Sequence, residues 1–371
     1  MEPGPPFAAG LRGGVPLAAH VWQDPRVQRI PERVLVVRLG AIGDVANALV
    51  FAGALKAASP GVRVGWAVHE LAAPLVRGHP AVDRVHLWRR GGGAAGLRAL
   101  VREVREQRYE LAVDLQRLAK SALLARLSGA PRVLGFDRAR TKEASWLLTR
   151  ERIAAADPTA PMVEQYLEFA RHLGIADPEL RRELPIDVGA RAWAAEQTAS
   201  LGGAPVVVAL GATKPANRWE PERFGALAAA LAGGDGATGP GSPVVLTGGP
   251  DEVEAGRRAA AAAAGREGVR NLVGETTLPE LCALLAEARL FVGCDSGPMH
   301  LAAALGTPVV ALFGPADPRR TGPYGAGHRV VRVPPSCAPC NRRTCNAPRH
   351  ACMEDIEVEH VLAQARSALA D

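Results

Sequence analysis

The stretch Arg33-Val34-Leu35-Val36-Val37-Arg38, followed by Leu39-Gly40-Ala41-Ile42-Gly43-Asp44, decides the fold. A short run of branched apolar residues predicts a buried parallel strand. The glycine-containing turn and the helical pattern up to about residue 58 complete a strand–turn–helix unit. Glycines in such a turn let a ligand approach the backbone, and the amides that open the helix favour an anion. The stretch therefore predicts an α/β fold with a ligand-binding turn.

The same alternation continues along the chain. In the first half, strands are predicted at 62–68, 84–88 and 111–115, with helices at 70–77, 97–107 and 118–128. Proline and glycine interrupt it over residues 174–204, which we interpret as an interdomain linker. Beyond it, strands are predicted at 205–210, 243–247, 290–294 and 308–313, with helices at 220–232, 251–264, 278–288, 298–305 and 357–370. Two doubly wound α/β domains follow from this pattern, with a ligand cleft between the carboxyl ends of their strands.

The expected organisation has four parts. Residues 1–30 form a flexible extension, 31–185 the N-terminal domain, 190–355 the C-terminal domain and 356–371 a last helix, with 233–242 as an exposed glycine-rich loop. The extension lacks the features of a secretory signal. No run of residues approaches the ~20 apolar positions that a membrane helix requires. We therefore expect a cytosolic protein, with peripheral contact to a membrane surface left open.

The net charge of +6 is unevenly distributed along the chain. Residues 84–152 hold 16 Lys or Arg against 7 Asp or Glu, so the remainder is slightly acidic. Nucleic acid, an anionic membrane surface or a phosphorylated substrate would each suit such a basic segment. Nucleic acid is the least favoured of these, because aromatic residues are not interleaved with the cations.

Two of the predicted turns carry candidate ligand-binding residues that also have simpler explanations. Asp44 fits a helix cap, which its spacing favours, or a general base that accepts a proton from a substrate hydroxyl. In the turn after residue 210, Thr213, Lys214 and Arg218 could contact phosphate through hydroxyl and cationic groups. A solvated loop with incidental charges explains either cation equally well.

A third turn contains Asp251 and Glu252 between a strand and a helix. Glu252 could accept hydrogen bonds from ribose or sugar hydroxyls, but a simple cap at Asp251 is favoured from the residues alone.

The fourth turn is Cys294-Asp295-Ser296-Gly297-Pro298-Met299-His300. Ser296 and Gly297 precede Pro298, which is a favoured first helical residue, so an exposed helix N-terminus suited to a diphosphate is predicted. Asp295 could anchor the turn or bind sugar hydroxyls, and His300 lies in the first helical turn. Because this histidine sits in a dense polar turn, we favour a functional role over a structural one.

Together these motifs resemble glycosyltransferase family 9, the ADP-heptose:lipopolysaccharide heptosyltransferases. The resemblance spans roughly residues 33–370 and rests on R-L-G-A-I-G-D, N-R-W-E-P-E-R-F and, most specifically, D-S-G-P-M-H-L-A-A-A-L-G-T-P-V-V-A-L-F-G-P-A-D-P-R-R-T-G-P-Y-G. It implies the GT-B architecture, in which two Rossmann-like domains bind acceptor and nucleotide sugar respectively. It also implies heptose transfer from ADP-heptose to inner-core lipopolysaccharide, with inversion and without a metal or other cofactor. Another nucleotide sugar, another acceptor or an inactive binding protein are the alternatives.

The resemblance assigns roles to particular residues. Asp44 matches the catalytic base, and the donor is assigned to Thr213, Lys214, Asn217, Arg218, Glu252, Asp295, Ser296, Gly297 and His300. Where many members have Lys, this chain has Asn217, so Lys214 or Arg218 is expected to supply the donor-contacting cation. The family often has His shortly after the base, where this chain has Val45-Ala46-Asn47.

The implied acceptor is lipid A–Kdo or inner-core lipopolysaccharide at the cytoplasmic face of the inner membrane. Its acidic groups would suit the basic segment, whose candidates are Arg89, Arg90, Arg117, Lys120, Arg138, Arg140 and Lys142. For any one of these residues, a solvated surface position is the simpler interpretation.

Four cysteines near the C-terminus, Cys337, Cys340, Cys345 and Cys352, have spacings that could suit a zinc site. A packed thiol cluster or an incidental disulfide is favoured over zinc, and no metal site is predicted.

Overall fold

The computed structural model describes residues 30–234 and 241–371. The extension expected at 1–30 therefore lies outside the described residues except for its last position. Most of the loop expected at 233–242 lies outside them as well.

The first domain contains six strands and four α-helices. The strands are β1 (Arg33–Val37), β2 (Arg63–His69), β3 (Arg84–Trp88), β4 (Leu111–Asp114), β5 (Arg132–Gly135) and β6 (Glu151–Arg152). The helices are α1 (Ile42–Ala58), α2 (Gly93–Glu106), α3 (Ala119–Leu127) and α4 (Met162–His172), with short 3₁₀ turns at Glu70–Leu75 and Ser145–Leu147. Three of these elements, β5, β6 and α4, were not predicted from the sequence.

In the second domain, the strands are β7 (Val206–Ala209), β8 (Val244–Thr247), β9 (Val269–Asn271), β10 (Leu290–Cys294), β11 (Val309–Leu312) and β12 (Arg329–Val331). The helices are α5 (Val188–Ser200), α6 (Pro221–Gly233), α7 (Val253–Ala262), α8 (Leu278–Glu287), α9 (Gly297–Ala304), α10 (Pro318–Thr321), α11 (Ala351–Glu354) and α12 (Val358–Ala370). Short 3₁₀ turns lie at Pro215–Asn217 and Pro250–Glu252.

Both sheets are parallel and share one topology. The strand order is β3-β2-β1-β4-β5-β6 in the first sheet and β12-β11-β10-β7-β8-β9 in the second. Each is the doubly wound order, which reverses between its two central strands. The reversal falls between β1 and β4 in one domain and between β7 and β10 in the other. Turns at these carboxyl ends are the expected ligand sites.

Helix α1 explains how the domains meet. Its residues 45–55 are all buried, because α1 packs against α4 of its own domain and against α9 of the second. A helix that is apolar on every side needs cover on every side. The beginnings of α1 and α9, and the turns that precede them, are thereby brought together.

The segment expected to be a linker, 174–204, contains α5 and is corrected accordingly. The side chain of Asp187 accepts a hydrogen bond from the Ala190 amide at 2.8 Å and caps the helix, and α5 packs against α8 of the second domain. Gly189 led the sequence interpretation away from a helix, although Asp187 is the cap that predicts one.

At the C-terminus, α12 packs against α6 and the strands β11 and β12, so it belongs to the second domain. Among the described residues, no helix combines the length and apolar character needed to cross a bilayer.

Candidate active site

Asp44 lies in the first turn of α1, directly after the central strand β1, and forms an ion pair with Arg38. The Arg38 side chain is 5% exposed and the Asp44 side chain 39%, so the arginine stands behind the carboxylate and the carboxylate faces the cleft. Asp44 is not the N-cap residue of α1, because Ala41 occupies that position. The capping interpretation favoured from spacing is therefore wrong.

The surroundings of Asp44 keep it ionised. Burial acts to raise the pKa of the Asp44 carboxyl, but Arg38 and more distant cleft cations outweigh burial and hold the pKa below its usual value. An opposite charge in contact favours the charged form of an acid. Asp44 is thus a carboxylate at neutral pH and can accept a proton.

His300, from α9 of the second domain, crosses to the same place. Asn47 donates a hydrogen bond through its Nδ2 to Nδ1 of His300 at 3.1 Å. Burial lowers the pKa of His300, although Asp295 and Asp44 oppose the shift. The neutral ring therefore carries its proton on Nε2. The Asn47 side chain therefore joins the two domains.

Gly43 permits this approach, whereas Gly297 could carry a Cβ. A Cβ on Gly43 would lie 2.5 Å from Cδ2 of His300, which is closer than any real contact. On Gly297, a Cβ would lie 3.4 Å from Cβ of Ile42, an ordinary contact. Gly43 is therefore required by the fit of the two helix N-termini, and these place their free amides and positive dipole ends in one cleft.

Asp295 follows β10 and is held by Asn217. The Asn217 amide donates to the main-chain oxygen of Asp295 at 3.0 Å and to its Oδ2 at 3.1 Å. Burial raises the pKa of Asp295, although His300 and Lys214 oppose the shift. Asn217 is 4% exposed, so its amide group positions Asp295. Lys214 is the cation of this loop that faces the carboxylate.

Ser296 and Gly297 begin α9 as expected. Ser296 is the N-cap residue, and its buried hydroxyl has no hydrogen-bond partner among the described residues. A buried hydroxyl without a partner is costly unless a ligand or water completes it. The start of α9 therefore offers a hydroxyl and backbone amides to an anion.

Glu252 lies against the end of β7. Its Oε2 accepts a hydrogen bond from the Gly249 amide at 2.5 Å, and a Cβ on Gly211 would lie 2.6 Å from its carboxyl carbon. Arg218 donates to the Ala212 carbonyl at 3.0 Å and stands 3.9 Å from Glu252. Thr213 is exposed at the mouth of the same loop.

The basic candidates of the first domain separate into three groups. Arg117 and Lys142 lie at the cleft, where the Lys142 amide donates to the Arg117 carbonyl at 2.9 Å. Burial lowers the pKa of Lys142, and the cations Arg117 and Arg320 add to the shift. The exposed candidates away from this point are Arg89, Arg90, Lys120 and Arg138.

Arg140 forms the third group and is corrected. It is 5% exposed and forms ion pairs with Asp137 and, at 2.7 Å, with Glu168. These contacts hold the first domain together, so Arg140 does not present its charge to an acceptor.

Several site residues were missed from the sequence. Arg320, on α10 of the second domain, donates to Sδ of Met162 at 3.3 Å, and Arg117 approaches the same sulfur at 3.9 Å. Tyr166 is fully buried beside them, and its hydroxyl lacks a partner in the described part of the chain. Arg38 carried a signal that was overlooked, because a charge at the end of a buried strand requires an ion partner.

The four cysteines near the C-terminus, whose spacing could suit zinc, form no disulfide among the described residues. All six described cysteines are free thiols, and in residues 30–234 and 241–371 no three His, Cys, Asp or Glu are arranged to hold a metal. Cys337, Cys340, Cys345 and Cys352 instead line a cavity of about 150 Å³. Backbone hydrogen bonds tie this segment to the loop before Asn217, from the Ala216 amide to the Arg343 carbonyl at 3.1 Å.

An ionised carboxylate on one domain and an anion-binding helix start on the other define a two-domain transferase with a GT-B fold. The chain belongs to glycosyltransferase family 9 (heptosyltransferase), whose model matches residues 97–350. It is therefore a glycosyltransferase.

Curated relatives and solved structures agree with this assignment. Lipopolysaccharide heptosyltransferase 1 of Pseudomonas aeruginosa is 33% identical and covers 84% of this chain and 87% of its own. Lipopolysaccharide heptosyltransferase 2 of Escherichia coli is 28% identical, and the match covers 91% of this chain and 98% of the relative. The structure of E. coli ADP-heptose lps heptosyltransferase II matches with a TM-score of 0.73 and 27% identity, covering 91% and 98%. E. coli heptosyltransferase WaaC with ADP matches with a TM-score of 0.71 and 26% identity, covering 91% and 99%.

Proposed function

We propose that this glycosyltransferase moves heptose from ADP-heptose to the inner core of lipopolysaccharide, with inversion at the anomeric carbon. The observation that carries the mechanism is the Arg38–Asp44 ion pair, which faces the start of α9 across the cleft. The relatives that cover most of this chain are named for this substrate class, which supports the choice of sugar and acceptor.

The transfer is a direct displacement. An acceptor hydroxyl attacks the anomeric carbon, so that a new C–O bond forms while the bond to the β-phosphate oxygen breaks. The proton of the hydroxyl passes to Asp44, and the electron pair leaves with ADP. A base that is already ionised suits this role.

The leaving diphosphate gains negative charge as the bond breaks. The Ser296 hydroxyl, the first amides of α9 and the Lys214 ammonium are proposed to stabilise it. The unpartnered Ser296 hydroxyl and the effect of Lys214 on the pKa of Asp295 support this assignment. Fixed donors at the site of developing charge lower the barrier. We propose that these groups replace a metal ion and that no cofactor is required. Glu252 is proposed to bind the ribose.

On the acceptor side, Arg117, Lys142 and Arg320 are proposed to bind an acidic group of the lipopolysaccharide core. Their charges converge near Asp44, and Arg320 comes from the opposite domain. An acceptor bound there would draw the domains together and exclude water from the donor. The enzyme is proposed to act at the cytoplasmic face of the inner membrane as a peripheral protein, without binding nucleic acid.

The test is transfer by the purified enzyme from ADP-heptose to lipid A–Kdo acceptors, followed by mass spectrometry, with UDP-glucose and GDP-mannose as alternative donors. A mass increase of one heptose with ADP-heptose alone is the expected result. Transfer from another donor instead would assign a different sugar. Tight ADP-heptose binding without transfer to any acceptor would indicate an inactive binding protein, which the retained Arg38–Asp44 pair argues against.

A further inference from the structure

The first domain exposes large apolar side chains beside clustered cations. Leu147, in the 3₁₀ turn after β5, is 66% exposed, and Leu123 on α3 is 39% exposed. Helix α3, which carries Leu123, packs against the 3₁₀ turn that carries Leu147. We call the surface formed by Trp88, Lys120, Leu123, Arg138, Trp146 and Leu147 the rim.

Aromatic rings and cations are paired along the rim, so the sequence-based statement that aromatic residues are not interleaved with the basic residues is corrected. Arg138 lies 4.5 Å from the Trp146 ring centroid, and Lys120 lies 5.4 Å from that of Trp88. Lys120 and Leu123, with Arg126 beyond them, stand at helical spacing on the exposed face of α3. Trp with Lys or Arg around exposed Leu is the composition that segments lying in a membrane interface share.

One acidic residue of this region, Glu143, is used within the protein. Glu143 accepts a hydrogen bond from the Ala119 amide at 3.1 Å and so caps the start of α3. Exposed arginines extend the positive surface on both sides, at Arg89, Arg90, Arg150 and Arg152. A cationic surface of this kind is attracted to anionic lipid headgroups.

The rim is connected to the active site. The segment 138–147 begins and ends in the rim and carries Lys142 to the cleft, where the charge of Asp44 influences the Lys142 pKa. Both surfaces lie at the carboxyl-end edge of the first sheet. A sugar that is anchored in a bilayer could therefore reach Asp44 while the rim contacts the same bilayer.

We propose that the rim docks the enzyme on an anionic bilayer, with Leu123 and Leu147 entering the headgroup boundary. This inference rests on the proposed function, because only a lipid-anchored acceptor requires it. The second domain offers a contrast. Its exposed Val253 follows Asp251 and Glu252 in the sequence and precedes Glu254, so this segment lacks the cations found in the rim.

The test is co-sedimentation with vesicles of equimolar phosphatidylglycerol and phosphatidylethanolamine, with pure phosphatidylcholine vesicles as the neutral arm. The enzyme is expected to bind the anionic vesicles, and the double change Leu123→Glu and Leu147→Glu is expected to lower the partition coefficient about tenfold or more. The matched control is Val188→Glu, on a second-domain valine that is 85% exposed, and it should bind like the unaltered enzyme.

Transfer to a deacylated, water-soluble acceptor separates the two proposals. The double variant should retain the unaltered rate in that assay, which also shows that it is folded. Equal vesicle binding by the double variant, or equal binding to phosphatidylcholine, would overturn the docking surface. Leucine-dependent vesicle binding by an enzyme that transfers no heptose would support the rim and contradict the proposed function.

Discussion

The two domains shift the pKa values of their cleft carboxyl groups in opposite directions. Asp44 follows β1 and is paired with the buried Arg38, which keeps its pKa low. Asp295 follows β10 and is held by the neutral amide of Asn217, and burial keeps its pKa high. Both residues follow strands at the reversal point of their sheet, but the strands are not equivalent, because β1 corresponds to β7 and β10 to β4.

From this difference we infer that the reversal point of a doubly wound sheet determines where a carboxyl group lies. The residue that contacts the carboxyl group determines its pKa. Asp114 supports this view. It ends β4, the counterpart of β10, and burial raises the pKa of Asp114 to about 6. Within the described part of the chain, neither Asp114 nor Asp295 forms an ion pair with an arginine, and burial raises the pKa of both. Of the three carboxyl groups, Asp44 is the one whose pKa is held below its usual value.

The largest effect on activity is expected when the carboxylate of Asp44 is removed. In Asp44→Asn, kcat should fall by about 10²–10⁴, because the general base is lost while the shape is kept. Donor affinity, measured by calorimetry, should change little. The control is Asp83→Asn, which removes a surface carboxylate paired with Lys56 and should leave kcat unchanged. Transfer at the unaltered rate by Asp44→Asn would refute the assignment of the base.

The second prediction concerns the contact between the N-termini of α1 and α9. In Gly43→Ala, the added Cβ would overlap the His300 ring and push the helix starts apart. Overpacking of this kind costs about 1–3 kcal/mol, which corresponds to about a ten- to hundredfold loss in kcat/KM. Gly61→Ala, at the far end of α1 where a Cβ meets nothing within 4 Å, is the matched control. Equal activity of the two variants would show that the domains do not need this contact.

A smaller effect is expected where the second domain reaches across the cleft. Arg320→Met should raise the acceptor KM about five- to tenfold with kcat nearly constant, because a partly exposed cation contributes about 1 kcal/mol to binding an anion. Its neighbour Arg319 is 72% exposed and paired with Asp317, so Arg319→Met should leave KM unchanged. A loss confined to kcat would indicate that Arg320 acts on the donor and does not bind the acceptor.

The last prediction is that removal of metal ions has no effect on the transfer rate. Addition of EDTA to the purified enzyme should leave the transfer rate unchanged, because protein groups are proposed to carry the charge of the leaving diphosphate. An EDTA-dependent loss that Mg²⁺ restores would assign that charge to a metal and remove part of the role given to the start of α9.

The sequence predicted the parts of this account that depend on local signals. The strands before Asp44 and Asp295 are short apolar runs, and Pro298 marks a helix start, so both turns were identified correctly. The sequence could not predict the hydrogen bond from Asn217 to Asp295, because the two residues lie far apart in the chain. It could not predict the burial of Arg140 either, because this burial depends on packing.

The same limit explains the missed residues. Arg320 reaches the first domain only because α1 and α9 pack together, and no spacing in the sequence encodes that approach. Short elements such as β6, of two residues, exist through pairing with a neighbouring strand rather than through their own propensity. Helix α5 was a different failure, because its cap at Asp187 was visible.

The most direct test of the central claim is the titration of the two carboxyl groups themselves. Selective ¹³C labelling of aspartate side chains, with Asp44→Asn and Asp295→Asn for assignment, would give each pKa by NMR. We expect the pKa of Asp44 to lie below the usual aspartate range and the pKa of Asp295 to lie above it. In Arg38→Met, the pKa of Asp44 should rise while that of Asp295 stays nearly constant. Equal pKa values for the two groups, or the reverse order, would contradict the division of the cleft into an ionised base and a buried donor-side carboxyl.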